Sequence, residues 1–276
     1  MVQGFLKLLP VVLAVSGAIK VSVLGLGWGV SHLKSAERLR VYRRALAPGQ
    51  LRSEARAALV VIVGDALLIS VFRAYQRELF APFTWTATLL TFAWMFVTFE
   101  VWFYVTHRLM HTRALYWMHA QHHVAQVTNP LTSLSFSLVE RFVLLGGAFL
   151  FLAAAGTFMP ITQVGVLLYI LTNYTLNVLA HGNTEWFPER FVQSWAGRLF
   201  FTTTFHAMHH ARHQGHYGLF TPMLDRWLGT AFDDYPQVHA RARAGNGLER
   251  MGERIRPEAS TPTLTPTVPV SGVGAP

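Results

Sequence analysis

Most histidines of this chain lie in one region. Eleven of the thirteen fall between His107 and His216, and they recur at short spacings. The clusters are the pair His107 and His111, the triplet His119, His122 and His123, and the triplet His206, His209 and His210 with His213 three residues later. Residues three and four apart share a helix face, and neutral imidazole is a good ligand for iron, zinc or copper. The clusters predict a metal site, and the two matching triplets favour two metal ions.

Several kinds of metal protein are excluded by what the sequence lacks. There is no cysteine, so thiolate-ligated haem and cysteine-held iron–sulfur clusters are ruled out. No histidine is followed by glutamate, as the H-E-x-x-H metalloproteases require, and the E-x-x-H motif of soluble di-iron bundles is also missing. Isolated histidines such as His32 and His239 are interpreted as ordinary polar residues. A metal transporter would carry metal ligands near the middle of its spans, and only Asp65 lies at such a position.

The elements that position the clusters are apolar. Hydrophobic residues make up 52% of the chain and charged residues only 13%. Five apolar segments stand out, at 8–31, 57–72, 84–105, 142–159 and 161–180. Several approach the roughly 20 residues that a helix needs to cross a bilayer. We therefore expect an all-α fold, an integral membrane helical bundle of four to five spans, with the first span retained in the protein.

The charge distribution predicts how the bundle is oriented. The segment between the first two spans carries seven basic residues, namely Lys34, Arg38, Arg40, Arg43, Arg44, Arg52 and Arg56. The positive-inside rule places this segment in the cytoplasm. Counting crossings then puts 106–141 and everything after 180 on the same side, as a cytosolic histidine-rich helical cap. Since topology and lipid headgroups account for the net charge of +9, we do not expect nucleic-acid binding.

Three regions follow from these patterns. Residues 1–56 form the N-terminal span and basic cytoplasmic loop, 57–240 the catalytic membrane domain, and 241–276 a cytoplasmic Pro/Thr-rich tail expected to be disordered. Two charges interrupt the spans, Lys20 in the first and Asp65 in the second. A charge at the bilayer centre is costly. They are interpreted either as an ion pair or as a Lys20 that reaches the interface and a protonated Asp65.

The histidine clusters and their surroundings resemble a known family. HRLMHTRALYWMHAQHH (107–123), NVLAHGN (177–183) and FHAMHHARHQGHYGLFTPMLDRWLGT (205–230) are similar in order and spacing to the membrane fatty acid hydroxylase and sterol desaturase superfamily. The resemblance covers roughly 95–235. It implies a histidine-bound dimetal centre, normally di-iron. The ligands it implies are His107, His111, His119, His122, His123, His181, His206, His209 and His210.

Five further residues are candidates for an extra metal ligand or for a group that orients one. They are Glu100, Glu185, His213, His216 and Asp225. Glu100 and Asp225 are expected to accept a hydrogen bond from the second ring nitrogen of a ligating histidine. The superfamily often has Asp at the position of Glu100 and Asn at that of His216. The roles of His216 and of Glu185 are therefore left open.

The resemblance implies an O2-dependent di-iron oxidoreductase that hydroxylates or desaturates a membrane lipid, such as a sterol or a fatty acyl chain. Its cofactors would be two iron ions, with O2 as co-substrate. The chain has no convincing dinucleotide fingerprint, so we expect electrons from an external donor, a ferredoxin, a cytochrome b5-type protein or a reductase. A zinc-dependent membrane hydrolase and a non-enzymatic membrane metal carrier stay as alternatives.

Overall fold

The computed structural model describes residues 2–255, and this part of the chain is helical. The α-helices are α1 (Val2–Ser31), α2 (Lys34–Arg38), α3 (Gln50–Tyr75), α4 (Trp85–Met110), α5 (Tyr116–His119), α6 (Leu138–Ala155), α7 (Gln163–Ala180), α8 (Trp195–Leu199), α9 (Thr203–Arg212), α10 (Met223–Trp227) and α11 (Tyr235–Arg243). Short 3-10 helices lie at Arg77–Leu79, His122–Val124, Pro130–Leu134 and Glu189–Gln193. Over the described range the extended pairings are isolated bridges. The all-α prediction is confirmed.

Five helices, α1, α3, α4, α6 and α7, are long and apolar enough to span a membrane. Their ends differ from the predicted segments by up to seven residues at polar, helix-compatible stretches: α3 begins at Gln50 and α4 continues to Met110. The N-termini of α4, α6 and α7 are capped by Thr84, Ser137 and Thr162. The hydroxyl group of each accepts a hydrogen bond from a backbone amide of the first turn. Hydropathy alone does not predict such extensions, because they carry polar residues that packing within the protein covers.

The spanning helices pack as a bundle in which α1 lies on α3 and α7, and α4 lies on α6 and α7. Small residues allow the close approaches. A Cβ atom at Gly147 of α6 would collide with the indole of Trp102 on α4, and that indole donates to the carbonyl of Val143 at 3.2 Å. Close helix contact through glycine is typical of membrane bundles, where dispersion forces replace the hydrophobic effect between helices.

The two charges inside the predicted spans form the proposed pair. Lys20 Nζ lies 2.7 Å from Asp65 Oδ2. Arg141 of α6, which the sequence analysis did not connect with them, donates to both oxygens of Asp65 at 2.9 and 2.7 Å. The ion pair is confirmed, and it is part of a three-residue cluster that joins α1, α3 and α6.

The basic loop after α1 packs on the histidine-bearing side of the bundle. Val41 N donates to Asn183 O at 3.0 Å, and Glu185 N donates to Leu39 O at 2.9 Å. The structure thus places this loop and the histidines on one side.

Packed structure also continues past the limit of 240 predicted for the catalytic domain. Ala242 and Leu248 are fully buried, and Leu248 N donates to Val41 O at 2.7 Å. The apolar residues between polar ones in this segment find a surface that only the fold supplies, so residues 241–255 belong with the domain. Residues 256–276, where disorder was predicted, lie outside the described residues.

A buried carboxylate ties α3 to the segment beneath the histidines. Glu54 is fully buried and accepts hydrogen bonds from Gln50 Nε2, Asn129 Nδ2 and Thr132 Oγ1 at 3.1, 2.7 and 2.7 Å. Gln50 Nε2 also donates to Val127 O at 2.8 Å. Glu54 and its donors, here called the Glu54 hub, hold in place the segment of chain that follows the first histidine triplet.

We predict that Glu54→Ala destabilises the protein strongly. It leaves three buried donors without their acceptor, and each such group costs about 1–3 kcal/mol. Thermal unfolding in detergent should show a clearly lower midpoint for Glu54→Ala than for Glu37→Ala, which removes an exposed carboxylate. Equal midpoints for the two variants would show that the hub is not structural.

Candidate metal centre

Nine buried histidines converge on two neighbouring points. One group consists of His107, His111, His119, His123 and His209, and the other of His122, His181, His206 and His210. Within each group, one ring nitrogen per residue lies within 4.8 Å of all the others. These nine are the residues that the resemblance implied as ligands. The sequence analysis therefore selected the residues that the fold brings together.

Each histidine reaches the centre from a defined element. His107 lies on the last turn of α4 and His111 just beyond it, while His181 directly follows α7. His119 ends α5, His122 and His123 lie on a 3-10 turn, and the second triplet lies on α9. Only the second triplet therefore has the helical geometry that both were expected to have.

The triplets do not serve one metal each. From the first triplet, His119 and His123 belong to the five-histidine group and His122 to the other. From the second, His209 belongs to the five-histidine group and His206 and His210 to the other. The matching spacings therefore reflect two segments that each contribute to both groups.

Hydrogen bonds on the outer nitrogens define the state of the rings. Nδ1 donates to a backbone carbonyl at 2.8 Å in His107, 3.2 Å in His122, 2.7 Å in His181, 2.8 Å in His209 and 2.8 Å in His210. A carbonyl only accepts, so Nδ1 carries the hydrogen. In each of these neutral rings Nε2 then carries no hydrogen, and its lone pair points inward.

Bare nitrogens face each other at short range. His122 Nε2 lies 3.3 Å from His181 Nε2, and His107 Nε2 lies 3.1 Å from His119 Nε2. In the pair His122 and His181 both Nδ1 atoms carry the hydrogen, so no hydrogen can bridge the two Nε2 atoms, and their lone pairs repel unless a cation lies between them. Nitrogens about 2.0–2.1 Å from one metal ion are separated by roughly 2.9–3.4 Å at cis or tetrahedral angles. The donor set fits two metal ions.

The surroundings keep the imidazoles neutral. Burial, with the charge of His107 and His213 adding to it, lowers the pKa of His111 to about 2, and burial lowers the pKa of His181 to about 4. The pKa values of His206 and His210 are lowered well below the usual range, first by burial and then by neighbouring histidines. Deprotonated imidazole is the form that binds metal.

One carboxylate contacts a candidate ligand directly, and the sequence analysis missed it. Glu140 Oε1 lies 2.6 Å from His119 Nδ1, with both side chains buried. Such a contact fixes the ring orientation and raises its basicity. A signal was available: Glu140 is a lone acid at the start of the fourth apolar segment. Its pairing depends on how α6 packs against α5, which spacing does not reveal.

The predicted roles of Glu100 and Asp225 are wrong. Glu100 accepts from the backbone amides of Phe220 and Thr221 at 3.0 to 3.3 Å, and Asp225 accepts from those of Tyr217 and Gly218 at 2.8 and 2.7 Å. Neither carboxylate contacts a histidine ring. Both instead hold the loop after α9, because its irregular backbone has buried amides that need acceptors.

Glu185, His213 and His216 lie outside both groups. Glu185 accepts from Thr204 N at 2.9 Å and Thr204 Oγ1 at 2.7 Å, and so holds the first turn of α9. His213 leaves the helix with φ of 65° and is only half-buried. His216 uses both nitrogens elsewhere: Nδ1 donates to the Phe205 carbonyl and Nε2 accepts from the Phe232 amide, each at 2.9 Å.

The fold and this site define an integral membrane protein with a histidine-rich candidate dimetal centre. The family model for fatty acid hydroxylase matches residues 92–230, which is half of the chain and contains all nine histidines. The chain belongs to the fatty acid hydroxylase family, within the fatty acid hydroxylase and sterol desaturase superfamily. The resemblance noted in the sequence is therefore confirmed.

Three similar curated proteins come from plants. A very-long-chain aldehyde decarbonylase of Oryza sativa subsp. indica is 33% identical over 152 residues, 53% of this chain and 24% of the relative. A second from the same source is 28% identical over 218 residues, 77% and 35% of the two chains. The very-long-chain aldehyde decarbonylase of Arabidopsis thaliana is 30% identical over 137 residues, 48% and 21%. The chain thus spans about a fifth to a third of these relatives. No solved structure matches it significantly.

We predict that Glu140→Ala weakens metal binding about 10- to 100-fold, as is typical when the partner of a ligating histidine is removed. Metal retention during titration with a chelator would measure this. Glu189→Ala removes an exposed carboxylate on the same side and should retain metal like the unaltered protein. Equal retention in both variants would mean that Glu140 does not support the centre.

We predict opposite outcomes for two histidines that are both fully buried. His206→Phe should lose the metal of the four-histidine group, whereas His216→Phe should keep both metals. The second change still leaves the Phe232 amide without its acceptor and should lower stability by about 1–3 kcal/mol. Metal content per chain and thermal unfolding measure the two effects, and loss of metal from His216→Phe would refute this assignment.

Proposed function

We propose that this protein is an O2-dependent di-iron oxidoreductase that hydroxylates or desaturates a membrane lipid. The observation that carries the proposal is the pair of buried histidine groups, in one of which Nε2 of His122 and Nε2 of His181 face each other without a hydrogen. All-imidazole donor sets suit iron as well as zinc and copper. Family membership favours iron and oxidation among these.

The chain supplies the conditions that such chemistry needs. When bound, the iron pair would supply the oxidising power, drawn from O2 and two electrons, to remove hydrogen from an unactivated C–H bond. For hydroxylation, the lipid, O2, two electrons and two protons give the alcohol and water. The nine histidines hold the metals, Glu140 orients His119, and the burial of every ligand excludes bulk water. No titratable residue outside the ligand set is needed as a nucleophile.

The location of the centre supports a lipid substrate. His107 lies on the last turn of a spanning helix and His181 directly follows another. An apolar substrate therefore reaches the centre from the bilayer without passing through water. Relatives named as very-long-chain aldehyde decarbonylases add a long-chain aldehyde to the candidate substrates, beside sterols and fatty acyl chains.

We place the histidines on the cytoplasmic face. The basic loop with seven Lys and Arg residues packs on the same side as the histidines, and the positive-inside rule assigns such loops to the cytoplasm. Electrons would come from an external ferredoxin, cytochrome b5-type protein or reductase. The net charge of +9 suits the approach of an acidic carrier.

Elemental analysis of detergent-purified protein tests the metal assignment. We expect two irons per chain in the unaltered protein and in His32→Ala, whose histidine is exposed, and loss of iron in His122→Ala. Two zincs instead would favour a zinc-dependent hydrolase. Metal that crosses vesicle membranes without any change in lipid would favour a metal carrier. Absence of bound metal would refute the centre.

Lipid analysis of a host that expresses the protein tests the reaction. We expect a lipid that gains one oxygen or loses two hydrogens, only in the presence of O2 and reductant, and not with His122→Ala. Growth under ¹⁸O2 should label a hydroxylated product. An aldehyde that loses its carbonyl carbon would place this chain with its named relatives. A lipid change that persists without O2 would contradict the proposal.

A further inference from the structure

A cavity of about 350 Å³ lies among the spanning helices. Its walls come from α1, α3, α4, α6 and α7, and most of the surface is apolar, with Val11, Leu152 and Val166 at the end away from the histidines. Cavities of 300 Å³ and more are in the range that binds small ligands. The shape and lining suit an alkyl chain.

The other end of the cavity borders the candidate metal centre. Asn177 lines it, and the carbonyl of the same residue accepts from His181 Nδ1 at 2.7 Å. Leu134 also lines it, next to Ser135, whose carbonyl accepts from His122 Nδ1 at 3.2 Å. The cavity therefore reaches residues that hold both of these histidines.

The cluster of Lys20, Asp65 and Arg141 lies in the wall of this apolar cavity. Asp65 accepts from Arg141 at 2.9 and 2.7 Å and from Lys20 at 2.7 Å. Two cations thus share one carboxylate. The neighbouring acid, Glu140, contacts His119 instead. The cluster thus holds two cations in an apolar setting, where a charge is expensive and is typically functional.

Lys20 is the member with free donor capacity. An ammonium has three hydrogens, and within residues 2–255 Lys20 Nζ makes one hydrogen bond, to Asp65. The bidentate contact with Arg141 already satisfies Asp65, so Lys20 is not required to neutralise it. An anionic ligand in the cavity would provide the missing acceptor.

We propose that the Lys20–Asp65–Arg141 cluster is the head-group site for a long-chain fatty acid, whose carboxylate binds Lys20 while its alkyl chain fills the apolar cavity. The inference rests on the proposed function, because it names the substrate class of that same site. Lys20 and Asp65 lie outside the segment 92–230 that the family model matches, whereas Arg141 lies within it.

Displacement of radiolabelled palmitate from the metal-loaded protein in nanodiscs tests the site. Unlabelled palmitate, methyl palmitate and 1-hexadecanol share the chain length but differ in head group. We expect palmitate to compete at a concentration at least 10-fold lower than either neutral lipid. Equal competition by all three on the unaltered protein would overturn the proposal without any variant.

Variants then assign the selectivity to Lys20. Lys20→Met should remove the preference for palmitate, Lys20→Arg should keep it, and Lys7→Met, which changes an exposed lysine on the same helix, should leave it unaltered. Asp65 keeps its contacts with Arg141 in Lys20→Met, so α3 and α6 stay joined. An unchanged preference in Lys20→Met would refute the site. Iron analysis of the same samples tests the di-iron proposal separately, so either proposal can fail alone.

Discussion

The structure depends on a repulsion that the fold has to overcome. Nine imidazoles are brought together away from water, and pairs such as His122 and His181 direct unprotonated nitrogens at each other 3.3 Å apart. Burial prevents relief by protonation, since it lowers the pKa of His181 to about 4. Without a cation such an arrangement is unfavourable. Two metal ions would turn the same contacts into ligand bonds, and this would link the stability of the cap to metal binding.

The carboxylates around the centre divide into two kinds of support. Glu140 contacts a candidate ligand, whereas Glu100, Glu185 and Asp225 accept backbone amides of the segments that carry or follow the second triplet. Irregular backbone next to a membrane has few alternative acceptors, so buried acids take this role. Backbone carbonyls or Glu140 thus orient six of the nine candidate ligands, whereas Nδ1 of His111, His123 and His206 has no partner among the described residues.

The family-matched segment and the N-terminal helices contribute different things. The matched residues 92–230 hold every histidine of the two groups. Helices α1 and α3 precede that segment, close the cavity and bring Lys20 and Asp65 to its wall.

Local patterns determined much of this protein. Apolar runs long enough to span a bilayer indicated the helices, and the repeated spacings of His119 to His123 and His206 to His210 indicated a metal site, because both signals lie within a few turns of chain. The resemblance to a family supplied the full set of nine ligand residues. Long-range packing decided the rest. It split each triplet between two groups, used both nitrogens of His216 in structural bonds, and joined Arg141 to Asp65 and Glu140 to His119. These hydrogen-bond partners are 11 to 76 residues apart, and a side chain's hydrogen-bond partner depends on distances of tenths of an ångström that only the folded backbone defines.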